Sequence, residues 1–241
     1  MSMRILSSLI LFVAVCASQV FGGPKAKFTD DSFDFGMTAQ GTILTHAFWI
    51  KSVGDQTVRI VEVEPGCGCT KAPLLDSVLA PGDSTRLDIT LSTKGFVGRI
   101  AKRPYFVTSS NPEKIYLKLF ADIVKATDSL QPISITPSRV DVSQFNKLRR
   151  KAKFTITNHS NVDQNVMVVD SSHKSFDVTL PPKLKANSSI EGQIMVHENA
   201  IEKNFEESIT IEFDGEDRTR ISVFVGRLYR PTDGTAASTN K

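Results

Sequence analysis

Apolar and polar residues alternate along much of this chain. Residues 85–91 (TRLDITL) alternate strictly and 57–63 (TVRIVEV) nearly so, as half-buried strands do. Residues 43–50 (ILTHAFWI) begin loosely and keep a partial period of two, and 114–120 (KIYLKLF) read as a further strand. Turn-forming clusters separate these runs: Gly54-Asp55, Pro65-Gly66, Pro81-Gly82-Asp83 and Ser110-Asn111-Pro112. The first of them predicts a hairpin between 43–50 and 57–63, which sets His46 roughly opposite Val63-Glu64. Past the N-terminal segment no window carries the i, i+3, i+4, i+7 stripe of an amphipathic helix. Short, regularly spaced strands with such turns predict an all-β sandwich.

The pattern then recurs. Phe48 and its neighbours (AFWI) are matched by KFTI around Phe154, and Val61-Glu62-Val63 by Val168-Val169-Asp170. The segment 79–84 (LAPGDS) falls opposite 184–189 (LKANSS), and 116–119 (YLKL) opposite 220–223 (RISV). The landmarks keep a spacing of roughly 105 residues, which predicts two tandem copies of one fold. Each copy has the length of an immunoglobulin-like sandwich. The expected units are 28–125 and 131–229, joined near Ala126 to Pro132, with a disordered polar tail over 230–241. Inward positions of the first copy supply its predicted core: Phe33, Phe35, Phe48, Ile50, Ile60, Val63, Leu87, Ile89, Phe106, Leu117 and Leu119. Such a core stabilises by about 1.5–3 kcal/mol per buried large side chain, so no disulfide staple is required.

The N-terminus changes the picture of compartment. Arg4 precedes an uncharged, mostly apolar run over 5–17, too short to span a membrane, followed by small residues. Residues 1–22 therefore read as a signal peptide cleaved after Gly22, and the protein as exported, periplasmic or secreted. Val15 stands where a lipobox would place a small residue before Cys16, which argues against lipidation. The mature chain has no other segment apolar enough to span a membrane. With Lys+Arg at 29 against Asp+Glu at 26, charge gives no case for nucleic-acid binding.

Removing Cys16 leaves two cysteines, one residue apart, in Pro65-Gly66-Cys67-Gly68-Cys69-Thr70. Around them stand Phe33-Asp34-Phe35-Gly36, His46-Ala47-Phe48, Leu79-Ala80-Pro81-Gly82 and Gly95-Phe96-Val97-Gly98. Their order and spacing over about residues 28–124 resemble a family of exported bacterial proteins of unknown function with a central Cys-Gly-Cys-Thr. That family is related to the immunoglobulin-like domains of hydin and the abnormal-spindle protein. It usually has Asn-x-Gly where this chain reads Ser52-Val53-Gly54. The resemblance implies a fold, attachment modules and a compartment, and no activity.

The second copy has no cysteine; His173 stands at the position matching Cys67. The pair is thus an addition to the first sandwich, with three readings. A local Cys67–Cys69 disulfide would close a ring too small to add much stability. A metal site would join both thiolates to His46 around copper or zinc, one ligand short of a structural zinc set. A thiol-redox role would depart from the usual Cys-x-x-Cys spacing, with Lys71 as the nearby cation.

The remaining candidates are plainer. His159 sits in a turn and reads as solvated, and His197 ends a strand without a partner visible in sequence. The basic run 147–151 (KLRRK) reads as a solvated loop. No phosphate loop, Gly-x-Ser-x-Gly or His-Glu-x-x-His is present, so no catalytic residue is predicted. The expectation is a non-enzymatic exported protein that binds a protein partner in the cell envelope through exposed strand edges. Its alternative is an envelope metal-binding or thiol-redox protein using Cys67 and Cys69.

Overall fold

The alternation of 85–91 becomes a strand, Ser84–Ser92, in which Thr85, Leu87, Ile89 and Leu91 are buried and the residues between them are not. The computed structural model describes residues 23–127, 129–144, 149–170, 174–214 and 218–230. The expected signal peptide with Cys16, residues 231–241 of the expected tail, His173, and Lys147 and Leu148 of the basic run lie outside these residues.

The first copy comprises β1 (Ala26–Phe28), β2 (Ser32–Ala39), β3 (Ile43–Ser52), β4 (Val58–Glu64), β5 (Thr70–Lys71), β6 (Val78–Leu79), β7 (Ser84–Ser92), β8 (Gly98–Lys102), β9 (Tyr105–Thr108), β10 (Asn111–Tyr116) and β11 (Lys118–Val124). The second comprises β12 (Ile133–Thr136), β13 (Arg139–Asp141), β14 (Lys151–Asn158), β15 (Gln164–Val168), β16 (Phe176–Thr179), β17 (Lys183–Leu184), β18 (Ser189–Val196), β19 (Phe205–Phe213) and β20 (Thr219–Arg227). Among the described residues the only helix is a single 3-10 turn, Glu198–Ala200.

Both copies use one pairing scheme. Sheet β1-β3-β7-β5 is repeated as β12-β14-β18-β16. Strand β4 lies between β6 and β9, as β15 lies between β17 and β19. Parallel pairing of β2 with β11 is repeated by β13 with β20. The chain is two tandem immunoglobulin-like sandwiches, each with its own hydrophobic core. Every core residue expected for the first copy is buried except Val63, which is half-buried against the same cluster.

Two expectations about strands need correction. The Gly54-Asp55 turn does not make a hairpin: β3 pairs with β1 and β7, whereas β4 pairs with β6 and β9. The chain crosses there from one sheet to the other, so His46 lies opposite Ile89 and not opposite Val63-Glu64. The run 114–120 is not one strand. It breaks at buried Leu117, whose N–H donates to Pro104 O at 2.9 Å where β8 gives way to β9. Proline has no N–H for a ladder, and the paired strands change neighbours at that point. Beyond the break, β9 pairs with β4, while β11 pairs with β8 and β2.

The sandwiches share a sheet. On β2, Phe35 and Gly36 form a bulge against β11, with Gly36 at φ 65° and its N–H bonded to Asp34 Oδ1 at 2.8 Å. Past the bulge, Met37 and Thr38 pair in parallel with Ile221 and Ser222 of β20. One eight-stranded sheet therefore runs through both copies. Side chains extend the seam. Ser222 Oγ donates to Phe35 O at 2.7 Å and receives a hydrogen bond from Thr210 Oγ1 at 2.8 Å. Arg220 bridges Glu212 at 2.8 Å and Asp34 O at 3.1 Å. Strand β1 covers only the end of β3, and Ser208 meets the uncovered part: Thr45 N–H donates to Ser208 Oγ at 2.9 Å and Ser208 N–H to Thr45 Oγ1 at 3.2 Å.

The histidines of the second copy have partners. His159 is exposed, with Nε2 2.9 Å from Ser134 Oγ. His197 places Nε2 2.9 Å from Asp177 and Nδ1 3.0 Å from Lys174 O. The Asp177 hydrogen bond, then the one to Lys174 O, raise the His197 pKa above its ordinary value.

Two outcomes follow from these contacts. A Cβ on Gly36 would stand 2.1 Å from Arg220 O, at a φ that side chains rarely adopt. Gly36→Ala is therefore expected to destabilise the protein by more than about 1 kcal/mol in urea unfolding; an unchanged midpoint would contradict the seam. For His197, a folded pKa above the unfolded value of about 6.5 means stabilisation that is complete below that value and lost as pH rises through the folded pKa. His197→Gln should therefore lower stability more in mildly acidic than in alkaline buffer, and a gap that widens with pH would refute this.

Candidate functional site

The Cys-Gly-Cys-Thr segment begins where β4 ends. Glu64 Oε1 accepts from Gly66 N–H at 3.2 Å, and Gly66 turns the chain at φ 78°, where Arg103 O would be 3.3 Å from an added Cβ. Cys67 O accepts from Thr70 N–H at 3.1 Å to close a turn. Ser92 N–H donates to Cys69 O at 2.9 Å, and Thr70 and Lys71 add β5 to the edge of β7. The segment is thus fixed at its start by the Glu64 side chain and at its end by backbone hydrogen bonds.

Within it Cys67 and Cys69 are joined as a disulfide, S–S 2.04 Å, with Gly68 between them. Both cysteines are half-buried, and Cys69 packs against the first core. Thr70 is 3% exposed, and its hydroxyl lies 3.2 Å from Cys67 Sγ and 3.8 Å from Cys69 Sγ. Neither sulfur of a disulfide carries hydrogen, so the hydroxyl is the donor in both contacts.

The disulfide loop forms part of the wall of a cleft of about 910 Å³ between the two sandwiches. Gly68, Cys69 and Lys71 line it from the first copy, and Arg139, Phe205 and Phe224 from the second. Arg139 stacks over the Phe224 ring at 3.9 Å and donates to Gly41 O at 2.9 Å, bracing the two walls. Asp141, also in the cleft, accepts from Ser143 N–H at 2.8 Å. Burial pushes its carboxyl up, but the Ser143 hydrogen bonds and the Arg149 charge outweigh that and lower its pKa. Arg227 is 3% exposed and ties the cleft wall together, donating to Ile201 O (2.9 Å), Val142 O (2.5 Å), Arg149 O (2.7 Å) and Gln144 Oε1 (2.9 Å).

His46 is placed elsewhere. Its ring stacks on Phe33 at 3.7 Å, meets Phe48 edge-on at 4.6 Å, and sets Nδ1 3.2 Å from Asp170 of the second copy. The set Cys67, Cys69 and His46 does not converge: among the described residues no three of His, Cys, Asp and Glu lie close enough to hold a metal ion. The cysteines lead into β5, which joins the sheet of β3 at its far edge, so β7 lies between them and His46. In the basic run, Arg150 pairs with Glu198, and Arg149 supplies its carbonyl to Arg227.

Sequence reasoning did not find Thr70, Arg139, Arg227 or Asp170 as site or seam residues. Only the position of Thr70, directly after the cysteines, carried a signal. Arg139 and Asp170 depend on contacts between copies, and Arg227 on contacts with distant segments of its own copy, none of which strand periodicity encodes.

Residues 26–123 match DUF1573, a protein family of unknown function. No curated protein matches the sequence. Similar solved structures include a protein of unknown function from Porphyromonas gingivalis W83, at 12% identity over 83% of this chain and 99% of that chain, TM-score 0.33. The ASH / PapD-like domain 7 of human CEP192 is 12% identical over 52% of this chain and 99% of its own, TM-score 0.36. The periplasmic chaperone SfaE is 10% identical over 86% and 100%, TM-score 0.31. The resemblance drawn from Cys-Gly-Cys-Thr is borne out: residues 26–123, which hold that segment and fold as an immunoglobulin-like sandwich, match the DUF1573 model.

Proposed function

We propose that the protein is a non-enzymatic binding or scaffolding module, exported to the bacterial cell envelope, that holds a protein partner in the cleft between its sandwiches. The observation that carries this reading is the cleft of about 910 Å³, whose walls belong to different copies held by one continuous sheet. A frame fixed by strand pairing meets a partner without first ordering itself, which lowers the entropic cost of binding. The lining suits a polypeptide: Phe205, Phe224 and Leu228 offer apolar contact, and Lys71, Arg139 and Asp141 offer both signs of charge. Export rests on the sequence of residues 1–22. Among the described residues no helix is long and apolar enough to cross a membrane.

Leu228 lines the cleft and is 42% exposed, while Val162 is 45% exposed and outside it. A photo-crosslinking benzoylphenylalanine at Leu228 is expected to capture a discrete partner in cells, and the same residue at Val162 to capture none. Equal capture at both positions would remove the cleft as the binding site. Export is checked by intact mass. The chain recovered from the envelope is expected to begin at Gly23, and a chain confined to the cytoplasm with residues 1–22 intact would refute export.

A further inference from the structure

The disulfide sits where a staple is least needed. The second copy builds the same sheets with no cysteine, and a ring with one intervening residue restricts the unfolded chain little. Its surroundings are instead those of a reacting group. Gly68 leaves the outer side of the ring open: a Cβ there would meet nothing within 4 Å. The two sulfurs also have different environments. Cys69 lines the cleft and Cys67 does not. Cys67 has the closer hydrogen bond from the buried Thr70 hydroxyl, 3.2 Å against 3.8 Å.

We propose that Cys67–Cys69 is a thiol-exchange site, in which the thiolate of a cysteine-bearing peptide in the cleft attacks Cys69 Sγ and displaces Cys67. The incoming sulfur forms a bond to Cys69 Sγ while the Cys67–Cys69 bond breaks. The electron pair of the broken bond goes to Cys67 Sγ, which leaves as a thiolate and takes up one proton. The products are a mixed disulfide on Cys69 and a free Cys67; the exchange is balanced and needs no outside oxidant. Exchange runs faster as the leaving thiolate is better stabilised, and a hydrogen bond to a charged sulfur in a poorly hydrated site is stronger than in water. Thr70 is placed to supply that bond to Cys67. Lys71 and Arg139 line the approach and favour an incoming thiolate, with Asp141 and Glu206 opposing them in the same cleft. The chemistry goes beyond partner binding and is tested without a partner.

The experiment treats the oxidised full chain with glutathione, a cysteine-bearing peptide, quenches with N-ethylmaleimide and maps the adducts by peptide mass. The expected product carries glutathione on Cys69 and maleimide on Cys67. Thr70→Val is expected to slow its formation about tenfold, the effect of losing one hydrogen bond to a charged group, and Thr70→Ser to restore the rate. Glutathione on Cys67 with maleimide on Cys69 would overturn the assignment. So would a disulfide that stays intact while free cystine is consumed in parallel. If Thr70→Val fails to fold by circular dichroism, the Thr70→Ser rate decides the hydroxyl's role: a rate near wild type supports it and a tenfold loss refutes it.

Discussion

Strand β20 presents one edge to two different strands. Its C-terminal half pairs with β13 of its own copy, and Ile221 and Ser222 pair with Met37 and Thr38 of the other. A buried strand edge must find partners for its N–H and C=O groups, since leaving them unpaired costs as much as losing the bonds outright. Here the first copy supplies them. The arrangement of the seam follows from that pairing: Ser222 reaches Phe35 O, Arg220 reaches Asp34 O, and Ser208 meets the part of β3 that β1 leaves bare. Past the bulge at Gly36, β2 keeps β11 on one edge and gains β20 on the other.

How much of this was legible depends on what alternation encodes. A period of two states which side chains face a core, and Phe48, Ile50, Leu87 and Ile89 were found on that basis. It does not state which strand lies alongside. Gly54-Asp55 has the residues of a tight hairpin, yet the chain uses it to pass between sheets. The strand that does lie between His46 and the cysteines is β7, and His46 meets Asp170 of the second copy instead. The internal repeat was a stronger guide, because matching landmarks require matching strands, and the two copies do share a pairing scheme. Nothing in the repeat indicated that the copies would share a sheet. The residues responsible, Met37, Thr38, Ile221 and Ser222, look in sequence like ordinary strand residues.

The comparison between copies also frames the disulfide. Both copies place a short strand, β5 or β16, at the same edge of the same sheet. Only the first precedes it with Cys-Gly-Cys and opens it with a buried Thr70 beside the sulfurs. Cores tolerate many apolar substitutions of similar volume, so two diverged copies can keep one architecture while only one of them carries a disulfide. The cleft joins the two facts, since the cysteine-bearing wall comes from the first copy and Arg139, Phe205 and Phe224 from the second.

The seam also sets an order of events during synthesis. The first sandwich is complete in sequence at Val124, but the strand that covers Met37 and Thr38 is β20, the last strand formed. A ribosome must add nearly the whole second copy before that edge is closed. Pairings between segments so far apart form late, because long loops must close first. Until then β2 is an open template for any passing strand, including the same segment of another nascent chain.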